Sequence, residues 1–113
     1  MKEIKAIIRP HMLPRVMDAL HALPHFPGVT ISDCQGQGRG RGSGARYEPS
    51  EETIYFAKMI KLELFCSDET CNALVEKIRD TASTGLADDG LIAIIDLSRV
   101  VSVRTGEEQE KAV

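Results

Sequence analysis

Apolar residues recur along this chain in two alternating rhythms, an extended one and a helical one, and the pair of rhythms occurs twice. Residues 4–8 form a short apolar run suited to a buried strand, closed by Arg9 and Pro10. Leu13, Val16, Met17, Leu20 and Leu23 then fall at helical spacing. Pro14 is tolerable only in the first turn of such a helix, and Pro24 with Pro27-Gly28 ends it. Residues 29–34 read as a second strand. From Gln35 to about Tyr55 no period is visible, and a loop of that length points to function rather than simple connection. Ile60, Leu62 and Leu64 alternate with Lys61, Glu63 and Phe65 as a half-buried strand. Ser67-Asp68 offers an N-cap for a second helical stripe of Cys71, Leu74, Val75, Ile78 and Ala82, which stops before Thr84-Gly85. Residues 91–95 give a fourth strand and residues 100–103 a short additional one.

The order βαβ followed by βαβ predicts an α+β fold, a ferredoxin-like split βαβ sandwich whose antiparallel sheet carries two helices on one face. The other sheet face stays uncovered. Packing against further copies of the chain is the natural way for so small a domain to bury it.

At 113 residues the chain fits one domain with one modest core. No apolar run approaches the roughly 20 residues needed to cross a bilayer, and the N-terminal residues lack the pattern of a signal peptide, so a cytoplasmic protein is expected. Cys34, Cys66 and Cys71 are unpaired in spacing and suit reduced thiols. With 17 acidic against 14 basic residues, a general role on nucleic acid is excluded as the leading expectation.

The loop carries the most distinctive chemistry. Glycine occupies every second position from Gly36 through Gly38, Gly40 and Gly42 to Gly44, with Arg39 and Arg41 between them. Backbone amides that a ligand can approach closely, beside guanidinium groups, make an anion-handling surface suited to phosphate.

Three segments carry a resemblance to a known family. They are residues 1–10, MKEIKAIIRP, the turn 84–90, TGLADDG, and residues 103–108, VRTGEE. In that order and spacing they are similar to the PII signalling proteins over essentially the whole chain. The resemblance implies one domain over residues 1–113, with a T-loop at about 36–56, a B-loop at about 84–91 and a C-terminal segment at about 103–113. It implies a homotrimer whose T-loop docks on a target protein, a transporter or an enzyme, so that a membrane is met only through such a partner. An adenine nucleotide (AMP, ADP or ATP) would lie in clefts between subunits. Carried over residue by residue, Ile7 and Thr30 would flank the base, while Gly36, Gly38 and Arg39 would run along the phosphates. Thr84, Gly85, Asp89 and Gly90 would form the B-loop, and Arg104 would complete the site from the adjacent subunit.

Departures from the family pattern change the expected ligand preference. Gly40 stands where many members have a glutamine that helps hold magnesium and 2-oxoglutarate, and Met59 stands where a lysine pairs with the 2-oxoglutarate carboxylate. Lys58 is adjacent, but one step along a strand turns a side chain to the other face. Leu91 and Ser102 replace cations expected near the phosphates, and Asp88 replaces a B-loop glycine. The usual modified tyrosine is Glu52, with Tyr47 and Tyr55 nearby. A preference for fewer phosphates over more, and no 2-oxoglutarate sensing, are therefore expected.

Two other classes were weighed. Gly-Arg-Gly in the loop also resembles a divergent PII branch associated with heavy-metal efflux, for which His11, His21, His25 and the three cysteines are candidate ligands at unhelpful spacing. Asp88-Asp89 is compatible with magnesium binding, yet no nucleophile, base and orienting group form a set, so an enzyme is not expected.

Overall fold

The computed structural model describes residues 1–37 and 56–113. Strand β1 (Lys2–Ile8) leads through a short 3-10 turn at Pro10–Met12 into helix α1 (Leu13–His21), followed by β2 (Thr30–Gly36). Next among the described residues come β3 (Ala57–Cys66), α2 (Asp68–Ala82), β4 (Gly90–Asp96) and a final 3-10 turn at Gln109–Ala112. The sheet has four strands in the order β2-β3-β1-β4, and each neighbouring pair is antiparallel. The predicted α+β arrangement is therefore present.

Alternation along the strands separates two faces. Ile4, Ala6 and Ile8 of β1 and Ile60, Leu62 and Leu64 of β3 are buried and meet Val16 and Leu20 of α1 and Leu74 and Ile78 of α2. Each fully buried aliphatic side chain contributes about 1.5–3 kcal/mol, so these two central strands hold the helices in place. Glu3, Lys5 and Ile7 alternate with the core residues of β1 and pair in register with Phe65, Glu63 and Lys61. They form the uncovered face. There the Glu3 Oε2 atom is buried without a hydrogen-bond partner among the described residues, and its nearest cation, Lys5 Nζ, is 4.0 Å away.

Helix boundaries follow local chemistry. Pro14 sits in the first turn of α1, as its missing N–H requires. The helix stops at His21 instead of continuing to Leu23, because Pro24 disfavours helical geometry in the residue before it. Leu23 still packs on the core, through a turn in which its amide donates to the Leu20 carbonyl at 3.1 Å. At α2 the Ser67 hydroxyl accepts from the Thr70 amide at 3.3 Å, the expected N-cap.

Residues 100–103 do not form the additional strand. Val101 makes a single bridge to Glu108 across a turn in which the Ser102 amide donates to the Glu107 carbonyl at 2.8 Å and Gly106 adopts φ of +74°. With no neighbouring strand to extend against, the ladder ends after one rung. No helix among the described residues is long and apolar enough to cross a membrane.

Candidate functional site

Register places one cluster of the predicted residues at a single end of the sheet. Ile7 pairs with Leu91 and Ile8 with Gly90, so the turn after α2 enters β4 directly against the end of β1. The approach is unusually close. Gly90 has φ of +111°, and a Cβ on it would lie 1.7 Å from the Ile7 carbonyl oxygen. Only glycine fits there without moving backbone.

Asp89 organises the residues just before that contact. Its Oδ2 accepts from the Thr84 amide at 2.7 Å and the Gly85 amide at 2.9 Å, while Oδ1 accepts from the Thr84 hydroxyl and from Arg9 Nε at 3.3 Å. Burial favours the neutral acid, but the Thr84 hydroxyl, the two amides and the Arg9 charge outweigh it and hold the Asp89 carboxyl below the ordinary carboxylate value. Arg9 was not among the predicted site residues. Its partner is 80 positions away in sequence, and the only local signal was its place beside Pro10 at the end of a strand.

A hollow of about 390 Å³ lies beside this cluster, bordered by Ile7, Arg79, Ser83, Asp89, Gly90 and Leu91. Arg79, from the last turn of α2, also went unnoticed in the sequence, because its position on a helix face carries no ligand signal by itself. Leu91 is 59% exposed at the start of β4. A second hollow of about 410 Å³ at the base of the loop is bordered by Arg9, His11, Lys58, Met59 and Asp88. Asp88 therefore borders a different hollow from Asp89, and its buried Oδ2 has no hydrogen-bond partner among the described residues. Lys58 and Met59 take successive register positions opposite Gln35 and Cys34, on opposite faces of β3, although both reach the rim of this hollow.

Other predicted residues stand apart within one chain. Gly36 ends β2 opposite Ala57, at the same end of the sheet as Gly90 but with β3 and β1 between them. Thr30 begins β2 opposite Glu63, in the half of the sheet away from the turn. Arg104 is exposed in the turn beyond Val101, which the chain reaches only after leaving the opposite end of β4. Gly38 and Arg39 lie outside the described residues, as do Gly40, Tyr47, Glu52 and Tyr55.

A larger hollow, about 490 Å³, is bordered by His25, Cys66, Glu69, Thr70 and Glu110 at the far end of the sheet. Its two carboxylates make it a poor anion site. Of the candidate metal ligands, Cys66 and Cys71 are neighbours within the core, and His21 packs edge-on against Phe26 with ring centroids 5.1 Å apart. Burial and the neighbouring Cys71 push the Cys66 thiol up to about 11. Among the described residues, no three His, Cys, Asp or Glu side chains gather as a metal-binding group.

Comparison with known proteins agrees with the geometry at the level of the whole fold. A family model described as "Nitrogen regulatory protein P-II" matches residues 1–107. A protein of that name from Microchaete diplosiphon is 40% identical over 113 residues, covering 100% of both chains. One from Pasteurella multocida is 37% identical over 113 residues, and "Nitrogen regulatory protein P-II 1" of Escherichia coli K12 is also 37% identical over 113 residues, each with 100% of both chains covered. On both the full-length identity and the family match, the chain belongs to the nitrogen regulatory protein P-II family.

Proposed function

We propose that this P-II protein, a member of a family of signal-transduction regulators, binds an adenine nucleotide between subunits of a homotrimer and regulates a target protein through the T-loop. It is read as a regulator and not an enzyme. The observation that carries the proposal is the turn closed by Asp89, tied to Arg9, with Gly90 against Ile7, and opening on a hollow, while Gly36, Thr30 and Arg104 stand elsewhere in the same chain. A site completed by a neighbouring subunit accounts for that separation. The uncovered sheet face supports the assembly, because a buried Glu3 oxygen without a hydrogen bond among the described residues and the exposed Phe65, Leu91 and Ile95 all gain from a second copy.

Ligand preference follows from what borders the hollow. Leu91 brings no charge, and Arg79 is the cation contributed there by the described residues. A charge-assisted hydrogen bond contributes about 1.5–3 kcal/mol, so each lost phosphate cation weakens binding about 10- to 150-fold. AMP or ADP is then held at least as tightly as ATP. With Met59 opposite Cys34, no lysine occupies that β3 position, and 2-oxoglutarate is not the signal.

Calorimetric titration of the purified protein with AMP, ADP and ATP, with and without 2-oxoglutarate, tests the ligand reading, and light scattering tests the trimer. Arg104→Ala should weaken every phosphate-bearing ligand. A stable monomer at micromolar concentration, or tight ATP binding with much weaker ADP and AMP, contradicts the proposal. Micromolar, ATP-dependent 2-oxoglutarate binding overturns its sensing half.

A further inference from the structure

The turn after α2 contains two acidic residues in succession, and the structure gives them different surroundings. We propose that Asp89 is a positioning residue, locking turn 84–90 with both carboxylate oxygens and offering none of its bonding capacity to a ligand. This inference rests on the nucleotide reading above for its consequence, though not for its geometry.

A carboxylate has about four lone-pair sites, and Asp89 fills them with four donors: the amides of Thr84 and Gly85, the Thr84 hydroxyl and Arg9 Nε. The two amide bonds, at 2.7 and 2.9 Å, close the turn on itself. Arg9 ties the closed turn to the end of β1, and the next residue, Gly90, is pressed against the Ile7 carbonyl. The turn is thus fixed at three points before any ligand arrives. Two consequences differ from a ligand-contact role. The Thr84 and Gly85 amides are committed inside the turn and are not phosphate donors, and Asp89 has no oxygen left for a magnesium ion. What the lock supplies is shape, which spares a ligand the cost of ordering the turn on binding.

The test combines amide hydrogen exchange on the ligand-free protein with calorimetric titration of ADP, using full-length Asp89→Ala and Asp89→Asn variants. Wild-type Thr84 and Gly85 amides should be protected. In Asp89→Ala their exchange should rise about tenfold or more, with ADP affinity falling by a similar factor, as loss of charge-assisted bonds implies. Asp89→Asn should restore most of the amide protection, because its carbonyl can still accept, while losing the bond to Arg9. It is the informative variant if Asp89→Ala fails to fold. Weaker ADP binding with unchanged amide protection means direct ligand contact and overturns the proposal. So does lost protection with ADP affinity unchanged. If the wild-type protein binds no ADP, AMP replaces it in the titration; if it binds none of AMP, ADP and ATP, the nucleotide reading fails and the exchange result alone decides the lock: unprotected Thr84 and Gly85 amides reject it.

Discussion

Replacing Gly90 by alanine is the most demanding test of the geometry, because one methyl group meets two separate obstacles. Its carbon would lie 1.7 Å from the Ile7 oxygen, 2.8 Å from the Ile7 carbonyl carbon and 3.4 Å from Ile8 Cα. All three obstacles are backbone, so no side chain can swing aside. Opening the gap by about 1.5 Å sacrifices at least one β1–β4 hydrogen bond, costing about 0.5–1.5 kcal/mol. Forced overpacking adds about 1–3 kcal/mol. A non-glycine residue at φ of +111° adds backbone strain of about 1–3 kcal/mol. The expected loss is about 5 kcal/mol, a large part of the roughly 5–15 kcal/mol that stabilises an ordinary domain. Gly85→Ala is the control, since Gly85 has φ of +82° with no atom within 4 Å of the added carbon. It should lose only about 1–2 kcal/mol, from backbone strain alone. Urea denaturation followed by circular dichroism gives both values, with all proteins at one concentration because association shifts apparent stability. Equal losses in the two variants, or a Gly90→Ala loss under about 2 kcal/mol, would refute the argument from close approach.

Asp89 should make stability depend on acid. Its folded pKa is depressed, so its contribution is complete above the ordinary carboxylate pKa of about 3.9 and is lost as pH falls through its own lower value. Stability of Asp89→Asn should be lower at neutral pH and converge on wild type in that acid window, as pH-dependent urea midpoints will show; parallel curves speak against it. Cys66 and Cys71 are 1% and 4% exposed, and with the Cys66 thiol at about 11 neither should react with Ellman's reagent at pH 8 until the protein unfolds. More than one fast thiol per chain contradicts that. Ser67→Ala removes the α2 cap and should lower stability by about 1 kcal/mol in the same denaturation assay; an unchanged urea midpoint would refute the cap's contribution.

Sequence periodicity disclosed the strands and helices because burial on one face leaves a direct mark: Ile60, Leu62 and Leu64 alternate in the chain and are buried in the fold. Ser67 and Pro14 were legible for a different reason, since capping and the missing N–H act within one turn. The site was less legible. Glycine at position 90 could be read as a turn former, but its need comes from the Ile7 carbonyl, which only tertiary pairing brings near. The same holds for Arg9 and Asp89. Asp88 and Asp89 look equivalent in sequence, yet they border different hollows because side chains of successive residues diverge. A valine-rich stretch at residues 100–103 has strand propensity without a partner strand, so propensity there yielded to topology.

The order β2-β3-β1-β4 has a consequence for how such a protein diversifies. Because β1 and β2 finish where β3 and β4 begin, both the connection between β2 and β3 and the turn 83–89 leave from one end, beyond the last core residues Ile8 and Ile60. Lengthening the connection between β2 and β3 adds chain beyond those core residues, and each doubling of its length costs only about 0.6 kcal/mol in closure entropy. At the other end of the sheet Met1 is tied to Asp68 and Lys2 to Asp96. Insertion between β2 and β3 can therefore change the surface at that end while the hydrophobic interior stays intact.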